Sequence, residues 1–114
     1  MKIKESIYQK VAVLSIKGKL MGPPESNLLY NNISELIEDG VTRIALDLKN
    51  VRWINSMGLS AILKSMNIIN RANGHLHLAH LSDKVKSVFV ISQLTKVFTI
   101  HDTVDDAVLS MNQL

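Results

Sequence analysis

The period of the sequence changes in mid-course between Ile44 and Met66, IALDLKNVRWINSMGLSAILKSM. Ile44-Ala45-Leu46-Asp47-Leu48 is β-branched and leucine-rich and reads as a strand, ending near Leu48 to Val51. Leu59, Ile62, Leu63, Met66 and Ile69 then fall on one face at helical spacing. Between the two lies Asn55-Ser56-Met57-Gly58. A polar residue just before such a run reads as a helix N-cap, which places Ser56 at or next to the start of the helix. The first backbone N–H groups of a helix lack intrahelical partners, and the dipole adds partial positive charge there. A hydroxyl at that spot can cap the helix, and a phosphate there would be stabilised.

The elements on either side follow from the same patterning. Lys2 to Ser6 alternates weakly, as a short edge strand does. Val11-Ala12-Val13-Leu14-Ser15-Ile16 is apolar on both faces, which predicts a strand covered on both sides or a central one, with Tyr8-Gln9-Lys10 as the hairpin turn. Gly18 to Pro24 breaks the pattern, and the two prolines favour a helix beginning near Pro24 or Glu25. Leu28, Leu29, Ile33, Leu36 and Ile37 give that helix its apolar face, and Gly40 is placed to end it. The central helix should run to about Ala72, where Asn73-Gly74 stops it. His75 to His80 alternates, with Leu76 and Leu78 on the buried face. Ser82 and Asp83 open a third helix with Val85, Val88, Phe89 and Ile91 or Ser92 inside. Val97 to Ile100 is a short strand, and Asp102-Thr103 caps a last helix with Val104, Ala107, Val108 and Met111 inside. The order β-β-α-β-α-β-α-β-α implies an α/β fold with a mixed, mostly parallel sheet, an N-terminal hairpin and about four helices. The expected core contains Leu14, Ile16, Leu46, Leu48, Ile62, Leu63, Met66 and Leu78.

At 114 residues the chain suits one domain over 1–114. The absence of cysteine removes disulfides, thiolate nucleophiles and Cys-ligated zinc, and weakly favours a reducing cytoplasm. No apolar run approaches membrane-spanning length, and the N-terminus lacks the long apolar segment of a signal peptide. The net charge of +3 comes from lysines and arginines scattered among acids, with one Trp, two Tyr and two Phe available for base stacking. That composition argues against a nucleic-acid interface.

Complete catalytic constellations are missing. There is no G-x-G-x-x-G and no G-x-x-x-x-G-K-[ST], so neither nucleotide loop is present. Ser56 has no evident His and acid partners, and G-x-S-x-G is absent. His75 and His77 share one face of a strand, expected to be the exposed one, while His80 falls on the other face or past its end. Two exposed histidines with no nearby acid read as surface residues rather than metal ligands. Asp105-Asp106 is explained by the helix dipole, and Lys64 and Arg71 by a solvated helix face. Ser56 is either a plain cap or a modifiable hydroxyl. Gly58 either permits close strand–helix packing or leaves room for a partner or phosphate.

Over its whole length the chain resembles the STAS domain, found in bacterial anti-sigma factor antagonists and in sulfate transporter tails. Asp47-Leu48, Val51 and Trp53-Ile54 fit the family's strand end. Ser56 matches its phosphorylatable serine, Gly58-Leu59 its glycine and leucine, and Gly18 with Leu20 its G-x-L before the first helix. Asn55 stands where an Asp is usual, Met57 where a second Ser or Thr is usual, and Met21 where antagonists carry an acid.

The resemblance implies a non-enzymatic, cytoplasmic switch protein without cofactor, nucleic-acid partner or membrane insertion. Unphosphorylated, it would sequester a serine-kinase anti-sigma factor and so regulate transcription. The kinase would phosphorylate Ser56, and a PPM-type phosphatase would reverse the step. Met21, Gly22, Asn55, Ser56, Met57, Gly58 and Lys64 would form the partner-binding surface. The alternative is a constitutive STAS interaction subunit of a lipid-transport complex or stress-signalling scaffold, in which Met21 and Met57 make a permanent apolar contact.

Overall fold

The computed structural model describes residues 1–114. Lys2–Tyr8 (β1) turns through Gln9 and Lys10 into Val11–Leu20 (β2). Both turn residues have positive φ, 50° and 71°, the sign a tight hairpin turn needs to match the strand twist. Glu25–Glu38 (α1), Arg43–Ile54 (β3), Ser56–Arg71 (α2), His75–Ala79 (β4) and Asp83–Ile91 (α3) follow. A 3-10 turn at Leu94–Lys96, Thr99–His101 (β5) and Val104–Met111 (α4) complete the chain. The sheet order is β1-β2-β3-β4-β5, antiparallel between β1 and β2 and parallel elsewhere. The expected mixed α/β sheet with its hairpin and four helices is therefore what forms.

A sheet whose parallel strands follow in sequence, joined by crossovers of one hand, puts the crossover helices on one face. There, Leu29 and Ile33 of α1, Ile62 and Ile69 of α2 and Val85 and Phe89 of α3 pack on Leu14, Leu46 and Leu78. The other face is left to α4. Ala107, Val108 and Met111 cover Val11, Val13, Ala45 and Ala79 in a smaller cluster. Having apolar residues on both faces of β2 is thus a direct record of two-sided cover. At the end of α1, Gly40 adopts φ +82°, and the Val41 N–H returns to the Leu36 carbonyl at 2.8 Å, closing the helix as the sequence predicts.

Several boundaries and faces differ from the sequence expectation. β2 does not break at Gly18 but continues to Leu20, and β3 continues past Val51 to Ile54. The two extend each other's ladder across register shifts, and Gly18 at φ +115° absorbs the irregularity. Leu63 and Met66 are only partly buried, at the rim of the stripe centred on Ile62 and Ile69. Ile91 is 82% exposed and Ser92 is exposed too, because α3 turns Val85 and Phe89 inward and ends before another inward position. The last strand is Thr99–His101 rather than Val97 to Ile100, since the Phe98 N–H is taken by the Leu94 carbonyl of the 3-10 turn.

The histidine face is the largest correction. His77 is buried, 8% exposed, because α4 covers the side of β4 that alternation alone leaves open. His80 lies past the strand end at φ 55°. His77 Nδ1 sits 2.9 Å from His101 Nε2, so one ring donates and the other accepts. Burial, then the neighbouring His101 and His75, hold the His77 pKa below the ordinary 6.5. The unfolded chain therefore protonates this residue more readily than the folded one. Its contribution to stability is present above pH 6.5 and is lost as the pH falls through the lowered folded value. Denaturant midpoints should fall between about pH 7.5 and about pH 5.5, and His77→Gln should flatten that dependence. A slope unchanged in the variant would contradict this assignment.

Candidate functional site

Leu20 and Ile54 are register partners at the carboxyl ends of parallel strands, so the loops that follow them emerge side by side. One is Met21-Gly22-Pro23-Pro24, leading to α1. The other is Asn55, leading to α2. These loops bring Met21, Gly22, Asn55, Ser56 and Met57 together, although the two groups are far apart in sequence.

Asn55, not Ser56, is the N-cap. Its backbone is extended, and its Oδ1 accepts the Gly58 N–H at 2.9 Å. The same amide donates from Nδ2 to the Met21 carbonyl at 3.4 Å, tying the two loops together. An aspartate could cap as well, but it would turn a carboxylate oxygen toward that carbonyl. The departure from the family pattern is thus an exchange of charge for a second hydrogen bond. Loss of the Asn55 amide, rather than of the Ser56 hydroxyl, removes the roughly 1 kcal/mol of a cap. Ser56 is the first residue of α2, exposed, with its hydroxyl free of the capping role.

Gly58 is buried under the turn, where any Cβ would run into the Leu20 carbonyl and stand 2.8 Å from Ile54 Cγ1. Its role is close strand–helix packing, and it holds Ser56 and Met57 outward. Gly22 has φ +116°, and a Cβ there would meet Met57 Cε at 2.9 Å. Met57 therefore lies over the glycine backbone. It remains 54% exposed, and Met21 is 44% exposed.

A groove between α1 and α2 runs from Ser56 and Met57 past Asn27 and Ser60 to Tyr30 and Lys64. The Lys64 Nζ stands 4.5 Å from the Tyr30 ring centroid, held at the far end of the groove. No acidic residue lines the groove, and the first turn of α2 carries none. In α1, α3 and α4 that turn does hold acid: Glu25, Asp83, and Asp105 with Asp106. The N-terminus of α2 is thus the one left without a negative charge to meet its dipole. No group of three or more His, Asp or Glu side chains is placed to hold a metal ion. No helix is long and apolar enough to cross a membrane.

The STAS domain family model matches residues 2–107, and the chain belongs to the STAS domain family. A Thermotoga maritima protein named "Putative anti-sigma factor antagonist" is 29% identical over 73 residues. That match takes in 64% of this chain and 65% of the relative, just under two thirds of its length. A crystal structure of a protein named "putative anti-sigma factor antagonist" from the same organism superposes with a TM-score of 0.87 at 23% identity, covering 96% of this chain and 94% of that one. The phosphorylated form of the Bacillus cell fate determinant SpoIIAA gives a TM-score of 0.71 at 20% identity, covering 94% and 96%. At these identities the structural likeness establishes the fold.

Proposed function

We propose that this chain, as one domain over residues 1–114, is an anti-sigma factor antagonist whose docking is switched by phosphorylation of Ser56. The observation that carries the reading is an exposed serine at the start of α2, without an acid in that helix's first turn, between exposed Met21 and Met57. Phosphorylated Ser56 would bring about −1.5 to −2 charges to that spot. In the free protein the dipole and open solvent accommodate them. Against a partner that covers Met21 and Met57 the same charges lose their water, and binding weakens. The partner is a serine-kinase anti-sigma factor, and a PPM-type phosphatase restores the binding form. Support comes from the antagonist name of the Thermotoga maritima relative and from SpoIIAA, a fold neighbour described in both phosphorylated and unphosphorylated forms.

Partner affinity separates charge from hydroxyl. In calorimetry against an anti-sigma factor captured with the protein from its host, Ser56→Ala should bind as the wild type does. Ser56→Asp should fold and bind at least about tenfold more weakly. Equal affinity of the Asp variant and wild type would count against the switch. It would favour the second reading, a constitutive docking subunit, which the apolar Met21–Met57 pair beside a neutral Asn55 also fits.

A further inference from the structure

A second cleft lies on the other side of the β3–α2 turn, between the end of β3 and α3. Trp53 and Ile54 form one wall, Val85, Val88 and Lys84 the other, with Arg52 beside them. The two clefts flank one turn, Ile54 lining this one and Ser56 and Met57 the first. Trp53 is the only tryptophan of the chain, and it is 54% exposed. Large aromatic side chains left in solvent at a strand end are unusual in an isolated domain and common at the centre of interfaces. The charge lining the cleft has one sign. The Lys84 Nζ is 5.0 Å from the indole centroid, Lys19 is the register partner of Trp53, and no Asp or Glu lines the cleft. Asp83, next to Lys84, is exposed in the first turn of α3 outside the lining.

We infer that this cleft binds an acidic segment that carries an apolar anchor. A cation already stands over the indole, so a second cation from a partner would be repelled, whereas a carboxylate would pair with Lys84 or Arg52. An apolar side chain would cover the indole edge and Val88. Nucleic acid is the weaker fit, because one tryptophan with a lysine on its ring offers no series of stacking faces. That this segment belongs to the protein docking at Met57 rests on the function proposed above. The chemistry of the cleft does not.

Trp53 is its own reporter, being the sole tryptophan. The wild-type protein would be titrated with a short peptide of a leucine–phenylalanine core flanked by glutamates, with the same core flanked by lysines, and with oligothymidylate. The acidic peptide should saturate a blue shift of Trp53 emission, and the shift should weaken with salt. Lys84→Glu and Arg52→Glu should each reduce its affinity at least about fivefold, and Met57→Lys should leave it unchanged. Retention in Met57→Lys separates this cleft from the Ser56 surface, so either can fail without the other. No saturable shift with the acidic peptide, an equal response to the lysine-flanked one, or tighter binding of oligothymidylate would overturn the inference.

Discussion

Gly58→Ala should destabilise the protein by about 3 kcal/mol or more, well above the effect of an ordinary helix substitution. Alanine is the better helix former, and by propensity alone the change would stabilise α2. The packing term has the opposite sign. The new Cβ would lie against the Leu20 carbonyl, with Ile54 behind it, and neither can yield without moving β2 or β3 away from the helix. Gly40→Ala is the natural control. Nothing lies within 4 Å of a Cβ at Gly40, and only its φ of +82° resists a side chain. That strain is worth about 1 to 2 kcal/mol. Urea denaturation of both variants measures the difference. If Gly58→Ala loses no more than Gly40→Ala, the close approach of α2 to β2 is not what fixes the turn.

Met57→Lys should leave stability within about 0.5 kcal/mol, since the side chain is more than half exposed. Its effect on partner binding should be large, about 3 kcal/mol or on the order of a hundredfold in affinity. The lysine would sit at the helix N-terminus, where the dipole is already positive, and would have to shed water against the partner. Calorimetry with a partner captured from the host reads the loss, and a denaturation curve confirms the fold. Normal binding by this variant would place the docking surface elsewhere and remove the site common to both readings of function.

Much of the architecture was legible because core positions repeat. The two-sided apolar pattern of Val11 to Ile16 predicted a covered strand, and α4 on one face with the crossover helices on the other explains it. Ser82 and Thr103 were legible as caps, and both accept the N–H three residues on. His77 was not legible. Alternation divides a strand into two faces but does not reveal that a helix from the far end of the chain will cover the polar one. The length of β3 was hidden for a related reason, since Arg52 and Trp53 are exposed and carry no burial pattern. At the site, sequence located the helix start to within a residue but gave the capping role to Ser56, where the structure gives it to Asn55. Either side chain can accept the hydrogen bond, and the choice depends on the Met21 carbonyl, brought in by a loop distant in sequence. The groove behind Ser56 joins α1 to α2, so the residues alone gave Lys64 a solvated face, the resemblance added it to the partner surface, and neither revealed Tyr30 beneath it.

The switch turns on one hydroxyl, whose state is read from the intact mass of the protein taken from its own host. The expected spectrum holds a species heavier by one phosphate, collapsed to the unmodified mass by phosphatase, with fragmentation assigning the group to Ser56 and Ser56→Ala lacking it. A single unmodified mass under every growth condition, with a partner still bound, would contradict the switch and leave Ser56 as an exposed helix residue beside a permanent contact.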